Sequence, residues 1–427
     1  MKYFKLGFNM LIHKTMFNIL IILEIAAMLV LTNIVISSYN GKDFLYEPYK
    51  KLLNNNGVVC EMDLSMGYGN NNEDIRKIIE KYNYLDFSAL ISLLKERLSG
   101  NIDIIFDRYY WLSPENGGPH PKSSLYQNVQ MIGVDPYIYS NLRLPLSEGR
   151  WADTDITSDG IAEAIISGGT SAELGQIYET DVGKIRIVGI LTDSNYVPPG
   201  INLSESVNKK LSILDYYQAY DCNLSMRAPF ILMNRTVYDK LISEDDPNYG
   251  SYFFISYGKT DDETAEKNTD YLCSIGGRIR NQFGEENFYT INAETKKELD
   301  NIYLRMLPLI IVSFVIVLAG LTGSMSMSVT RGIRTYGIFY LCGCNWKKCR
   351  KILSVQIILI IFLSTIITFI TLFVMKIINI EYMIGSVYRL NNVYISLIEM
   401  ILIYILSLII PKSLIRYASP VETIRYL

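Results

Sequence analysis

The amino-acid sequence predicts an α-helical membrane protein with four transmembrane helices and a large α+β extracytoplasmic domain inserted between helices one and two. Three observations lead there. A single apolar run lies near the N-terminus, about 260 mainly polar residues follow, and three more apolar runs crowd the last 125 residues. The short segments flanking those runs carry basic residues and almost no acids.

The first run, residues 16–37, is 22 residues long. At 1.5 Å per residue it reaches roughly 33 Å, enough for a hydrocarbon core of about 30 Å. It is longer than the apolar stretch of a signal peptide, and no small-residue cleavage site follows Ser37 and Ser38, so it reads as an uncleaved helix. The expected order is a cytoplasmic amphipathic segment 1–15, helix 16–38, outer domain 39–302, helix 303–329, cytoplasmic loop 330–351, helix 352–375, short outer loop 376–392, helix 393–411 and cytoplasmic tail 412–427.

Orientation follows from the lysine and arginine counts of the flanks. Lys2, Lys5 and Lys14 precede the first helix, and Arg331, Arg334, Lys347, Lys348, Arg350 and Lys351 lie between the second and third, in both places without an acid. The tail has Lys412, Arg416 and Arg425 against Glu422, while the turn between helices three and four has Lys376 and Arg389 with Glu381. One topology satisfies all four flanks, with both termini on the cytoplasmic side and residues 39–302 outside.

Composition divides along the same line. Of 40 basic and 43 acidic residues the apolar parts hold 15 and 4, which leaves the inserted domain with 25 and 39 and a net charge of −14. An acidic surface of that size has no footprint for nucleic acid. About 260 residues suffice for one large domain or two subdomains with their own cores, and the region is read as two. Cys60, Cys222 and Cys273 fall outside, where one pair can oxidise, and the sequence does not say which. Cys342, Cys344 and Cys349 fall in the reducing cytoplasm, with neither a fourth ligand nor the spacing of a zinc site, so no metal is expected.

Within the domain, the pattern predicts a strand over 58–64, one long helix over 73–98 and a strand over 102–111. A Pro-Gly loop over 113–122 is followed by a strand at 128–134 and short strands at 144–151, 164–167, 185–191 and 230–233. Residues 196–221 have no clear period. A second long helix is expected over 261–280, then a strand over 286–291 and a helix from about Ala293 that can run into the membrane.

Catalytic chemistry is sparse. The only histidines are His13 and His120, so neither a zinc-protease helix nor a Ser-His pair is present. Gly258-Lys259-Thr260 has the ending of a phosphate loop, but the first glycine of that motif would fall on Phe253. The acidic clusters 244–246 and 261–262 lack the alternation of a calcium loop. The chain is therefore not expected to be an enzyme, and a membrane-anchored hydrolase is disfavoured.

The remaining features are physical rather than catalytic. Residues 3–12 place Phe4, Phe8, Leu11 and Ile12 on one face with lysines around it, the pattern of a helix lying in the inner interface. Residues 330–351 are basic with an apolar core of Ile333, Tyr336, Ile338, Phe339 and Leu341, which suits either a topological anchor or a surface for a soluble partner. Gly320, Ser324 and Ser328 form a small-residue seam, beside Ala319 and Gly323, for close approach to a second copy or within the four-helix set. Glu24 sits near mid-membrane, where it must face protein or be protonated; a packing hydrogen bond is favoured over a transport role.

Particular segments of the chain resemble a known family. The helix order, together with Met131-Ile-Gly-Val-Asp-Pro136, Leu146-Ser-Glu-Gly-Arg-Trp-Ala-Asp153 and Arg186-Ile-Val-Gly-Ile-Leu191, is similar to the FtsX-like and MacB-like permeases of ABC transporters, the macrolide-exporter and lipoprotein-release class. Arg334-Thr-Tyr-Gly-Ile-Phe-Tyr-Leu-Cys-Gly343 resembles that family's R-E-I-G-I-L-R-A-L-G segment, and Pro420-Val-Glu-Thr-Ile-Arg425 its C-terminal P-V-E-A-L-R. Thr335 and Tyr340 depart from it, where the family has a glutamate and a basic residue.

The resemblance implies a permease subunit without its own ATPase that works with a separate ABC ATPase subunit, through which ATP and Mg enter; the chain itself is expected to bind no cofactor. It makes Arg331, Arg334, Tyr336, Gly337, Ile338 and Gly343 the ATPase-coupling residues, and Pro420, Glu422 and Arg425 a C-terminal motif. It implies a homodimer or heterodimer of permeases in the lipid of a bacterial cell membrane, with an extracytoplasmic adaptor or a cell-wall hydrolase as a further partner. The implied work is mechanotransmission for efflux or extraction of a hydrophobic peptide, antibiotic or lipoprotein. A hydrolase regulator of the FtsX kind and an antimicrobial-peptide sensing or resistance module are the alternatives.

Overall fold

The computed structural model describes residues 15–62, 72–82, 87–123, 125–198, 211–222, 227–242, 252–275, 277–279, 287–331, 338, 346–377 and 386–417. The chain divides into two compact units, Met1–Gly41 with Asp300–Leu427, and Lys42–Leu299.

In chain order the helices are α1 (Thr15–Tyr46), α2 (Glu73–Tyr82), α3 (Phe87–Arg97), α4 (Pro136–Asn141), α5 (Arg235–Leu241), α6 (Asp262–Ser274), α7 (Phe288–Arg331), α8 (Trp346–Ile377) and α9 (Leu390–Tyr417). The strands are β1 (Asn56–Met62), β2 (Asp103–Ile105), β3 (Arg108–Leu112), β4 (Val129–Val134), β5 (Leu146–Gly149), β6 (Ile161–Ile166), β7 (Ile177–Thr180), β8 (Gly183–Leu191), β9 (Ser194–Val197), β10 (Gln218–Asp221), β11 (Phe230–Asn234), β12 (Tyr252–Gly258) and β13 (Gly277–Ile279).

Four of the helices, α1, α7, α8 and α9, are long and apolar enough to cross a membrane, with the α+β unit between the first and second of them. A helix is the form that such runs take, because lipid offers backbone N–H and C=O groups no partner and the helix satisfies them internally. The helices extend past the apolar runs: α7 begins at Phe288 and α1 continues to Tyr46. Their shared core includes Ile25, Leu29, Leu321, Met325, Leu353 and Ile403.

The α+β unit holds two main sheets. A four-stranded antiparallel sheet has the order β13-β1-β12-β2. Its core joins Val58, Cys60 and Ile255 to Ile75, Leu90, Leu94 and Leu272 of the helices α2, α3 and α6. A seven-stranded mixed sheet runs β3-β4-β11-β6-β8-β5, with β7 also on β8. In it β4 with β11 and β6 with β8 are parallel, and Met131, Ala164, Ile187, Ile231 and Val237 lie in its core.

The details correct four expectations. In place of the one helix expected over 73–98 the described residues hold two, α2 (Glu73–Tyr82) and α3 (Phe87–Arg97). The single strand expected over 102–111 is β2 and β3, in different sheets, with Phe106 and Asp107 as the crossing. The helix expected over 261–280 stops at Ser274 ahead of the stop signal Gly276-Gly277, and β13 follows.

The strand expected over 286–291 is reduced to an isolated bridge between Asn287 and Val58, and α7 starts next. Asn287 Oδ1 accepts from Thr290 N–H at 2.8 Å, a helix cap that outweighs the apolar alternation. The stretch 196–221, which shows no clear period in sequence, ends in a 3-10 turn, Ile213–Tyr216, and in β10, which pairs with β9. β7 and β12 were not expected at all. Among the described residues no disulfide joins Cys60, Cys222 or Cys273.

Candidate functional site

In the membrane unit, the described helices meet through polar groups at one end. Asn392 of α9 is buried and donates to Ser37 Oγ of α1 at 2.7 Å, while its Oδ1 accepts from Asn40 Nδ2 at 2.9 Å. One turn along α9, Ser396 Oγ accepts from Asn33 Nδ2 at 2.9 Å, and Glu399 Oε1 accepts from Thr32 Oγ1 at 3.0 Å. Thr368 of α8 donates to the Ala26 carbonyl at 3.3 Å. Polar pairs between membrane helices each contribute about 0.6–2 kcal/mol and, more to the point, fix which turn faces which. From sequence, Asn392 ends the expected outer loop 376–392, and Asn33, Asn40, Ser396 and Glu399 carry no expected role. The signal was present, since Asn33, Ser37 and Asn40 recur at helical spacing across the end of the first apolar run.

Glu24 and Gly320 meet. A Cβ on Gly320 would lie 2.8 Å from Glu24 Oε2, so the glycine leaves room for the carboxylate. That oxygen is buried and has no hydrogen-bond partner among the described residues. Ser328 is buried and Ser324 half-buried along the same stripe of α7, whereas Ala319 and Gly323 are exposed and a Cβ on Gly323 would meet nothing within 4 Å. Arg331 ends α7 and is exposed, and Ile338 is exposed. Arg334, Tyr336, Gly337, Gly343, Pro420, Glu422 and Arg425 lie outside the described residues.

In the α+β unit the three quoted segments hold the seven-stranded sheet together. Met131–Val134 is buried sheet centre, and Gly133 is needed because a Cβ there would come 2.6 Å from Cγ of the buried Tyr238. Asp135 then caps α4, accepting from Tyr137 N–H at 2.9 Å. Gly149 has φ +82°, a conformation that side chains resist, and a Cβ would meet the Val188 carbonyl at 2.2 Å. The turn sends Arg150 back to the buried Glu163, Nη2 to Oε1 at 2.6 Å. Arg143 stacks its guanidinium 4.9 Å from the Trp151 ring centroid.

The crossing between the two sheets carries the most buried charge. Asp107 Oδ1 accepts from Asp135 N–H at 2.8 Å and Oδ2 from the Tyr216 hydroxyl at 2.5 Å. Asp135 pairs with Arg235 at 2.9 Å, and that guanidinium lies 3.7 Å over the Phe106 ring. Burial pushes the Asp107 carboxyl up to about 6 against the pull of its hydrogen bonds. Burial raises Asp135 as well, with Arg235 opposing. Tyr49, Tyr216, Tyr217 and Phe254 close over this point as edge-on or tilted rings 5.3–6.3 Å apart. Each carboxylate is occupied by protein donors, which describes a clamp rather than a reaction centre. Among the described residues no group of three His, Cys, Asp or Glu is placed to hold a metal.

No family model and no curated protein matches the chain. Solved structures do. The extracellular domain of the noncanonic ABC-type transporter YknZ from Gram-positive bacteria is similar at 10% identity, over 53% of this chain and 97% of that one, with a TM-score of 0.27. The periplasmic region of MacB from Actinobacillus actinomycetemcomitans is similar at 10% identity, over 57% of this chain and 92% of that one, again with a TM-score of 0.27. Likeness this distant leaves the reading of function to the chain's own residues.

Proposed function

We propose that this chain is the permease subunit of an ABC transporter of the MacB-like kind. A separate ATPase subunit binds ATP and Mg, docks on the basic segment 330–351, and drives movement of the α+β domain to export or extract a hydrophobic peptide, antibiotic or lipoprotein. The observation that carries the reading is the order of elements: four apolar helices, the α+β unit between the first and second, and a short basic segment with the glycine-bracketed Gly337–Gly343 stretch between the second and third. Two permeases and two ATPases form the working assembly in this reading, with both permease termini on the ATPase side.

The test is reconstitution. The purified chain alone turns over no ATP, and addition of its cognate ATPase subunit gives turnover that responds to cargo. Gly343→Val uncouples that turnover while membrane abundance stays normal, because a β-branched side chain resists close backbone approach and positive φ. Thr335→Glu restores the family's residue and is mild. Wild-type coupling in Gly343→Val at normal abundance, or co-purification of a cell-wall hydrolase and no ATPase, refutes the proposal.

A further inference from the structure

In the α+β unit, residues 211–217 belong to neither main sheet. They lead into β10, whose partner is β9 in a two-stranded ribbon. The backbone bonds within 212–217 are local, from the Asp215 N–H to the Ser212 carbonyl and from the Tyr217 N–H to the Leu214 carbonyl. Yet Leu211, Ser212, Ile213, Tyr216 and Tyr217 are each at most 5% exposed. Side chains from four other places cover them. The Ile213 N–H donates to Thr295 Oγ1 at 3.0 Å and the Ser212 hydroxyl to Glu298 Oε2 at 2.6 Å, both on α7. The Tyr217 hydroxyl donates to that of Tyr49, in the turn after α1, at 3.2 Å. The Tyr216 ring meets Phe254 of β12 edge-on, centroids 5.3 Å apart, and its hydroxyl holds Asp107.

Two features make this strap a coupling element. The seven-stranded sheet, with β3 through α5, is inserted in the chain between β2 and β12 of the four-stranded sheet. The chain therefore passes between the two halves twice, at Phe106-Asp107 and again between α5 and β12, and the strap grips the first of these crossings through Tyr216. On its other side it is bonded to one face of α7. Thr295 and Glu298, three residues apart, share that face, and Ile291 and Leu299 are buried beside them. The strap engages α7 only while this face is turned toward it, because a rotation of one residue, about 100°, carries both acceptors away.

We propose that the strap 211–217 couples the rotational setting of residues 288–299 of α7 to the junction between the two sheets. While its α7 bonds hold, Tyr216 keeps the Asp107 crossing closed; when that end of α7 turns, the crossing opens. The proposal rests on the α+β unit alone and stands whether or not an ATPase drives the turn.

The test is hydrogen–deuterium exchange, read by mass spectrometry on the full-length chain in lipid nanodiscs. Thr295→Val keeps the side-chain shape and removes the acceptor of the Ile213 N–H. It raises exchange at the crossing, residues 105–108, and in α4 by about tenfold, the size of one lost hydrogen bond. Strands β1 and β6, inside their sheets, exchange as in wild type. Because coupling is reciprocal, Tyr216→Phe, which cuts the link to Asp107 and leaves the ring, raises exchange in residues 292–299 of α7. Thr295→Ser keeps the hydroxyl and the wild-type pattern. If Thr295→Val does not reach the membrane, Ser212→Ala, which removes the bond to Glu298, carries the same expectation. Exchange raised in 211–217 and 292–299 alone identifies a local brace and overturns the proposal. So does wild-type exchange in both Thr295→Val and Ser212→Ala, or a rise spread evenly over both sheets.

Discussion

Replacing Asp107 by asparagine should stabilise the α+β unit at neutral pH, and the structure sets the size of the gain. Burial holds this carboxyl at about 6, whereas an unfolded aspartate titrates near the ordinary 3.8. Because the folded value is the higher, the group favours the folded state fully only below the unfolded value, and that contribution is lost as pH rises through about 6. A gap of roughly two pKa units at 1.36 kcal/mol each makes the penalty at pH 7.5 about 3 kcal/mol. Asparagine keeps the shape without the charge. Its oxygen accepts from Asp135 N–H, and its amide donates to the Tyr216 hydroxyl, which rotates to accept. Alanine is the contrasting case, since it leaves both donors buried and unpaired at about 1–3 kcal/mol each.

The assay is urea unfolding of the full-length chain in detergent between pH 4 and 8, followed through the fluorescence of Trp111 and Trp151. Comparing Asp107→Asn with wild type cancels the other carboxylates, including Asp135, whose value burial also raises. The two proteins should differ by well under 1 kcal/mol near pH 4 and diverge between about pH 4 and 6, with asparagine ahead by about 3 kcal/mol at pH 7.5. A variant no more stable than wild type at pH 7.5, with the same slope, would mean that Arg235 and the hydrogen bonds fully offset burial, and the clamp would then be an ion pair in water's terms.

Arg150→Ala should destabilise the same unit by about 2 kcal/mol, because it strands the buried Glu163 carboxylate with only the Asp153 N–H, 3.3 Å away. Glu163→Gln in that background should recover part of the loss, and an unchanged melting transition in Arg150→Ala would contradict the assignment. Gly133→Ala forces a Cβ against Tyr238 Cγ at 2.6 Å and Cβ at 2.7 Å, atoms too near the backbone to swing aside. It should cost about 1–3 kcal/mol in urea unfolding, and a neutral effect would mean that α5 floats on the sheet. Gly320→Ile should lower the abundance of folded protein in the membrane, and Glu24→Ala should rescue it, since the first obstruction is the Glu24 carboxylate 2.8 Å from the new Cβ. Failure of rescue would place the clash elsewhere on α7.

The four long helices were legible because lipid constrains each one separately: a run of apolar residues long enough to span has no alternative but to satisfy its backbone within itself. The α+β unit was legible in proportion to how local its signals are. The capped turn at Asp135-Pro136 and the left-handed Gly149 announce themselves in sequence. Phe106-Asp107 does not. Apolar residues flank Asp107 and Arg108 on both sides, so two strands of different sheets read as one, and nothing local marks the aspartate as buried although it is 2% exposed. β12 was invisible for the related reason that Phe253, Phe254, Ile255, Ser256 and Tyr257 are buried on both faces, which erases the alternation of a half-exposed strand.

Partners in the membrane unit were the least legible part, and the physics explains why. In lipid, apolar side chains are worth nearly the same against a helix as against an acyl chain, so the long apolar runs that reveal a span say nothing about its neighbour. Neighbours are selected by the few groups that lipid cannot satisfy. On α1 these include Asn33, Ser37 and Asn40, spaced four and three residues apart; on α9 they are Asn392, Ser396 and Glu399, with the same spacing. Each set alone is an ordinary scatter of polar residues. Matched spacings on two antiparallel helices are a code for pairing, Asn40 and Ser37 with Asn392, Asn33 with Ser396, and Thr32 with Glu399. Gly320 shows the same asymmetry: its smallness could be read from the sequence, but that it makes room for Glu24, 296 positions earlier in the chain, belongs to the fold alone.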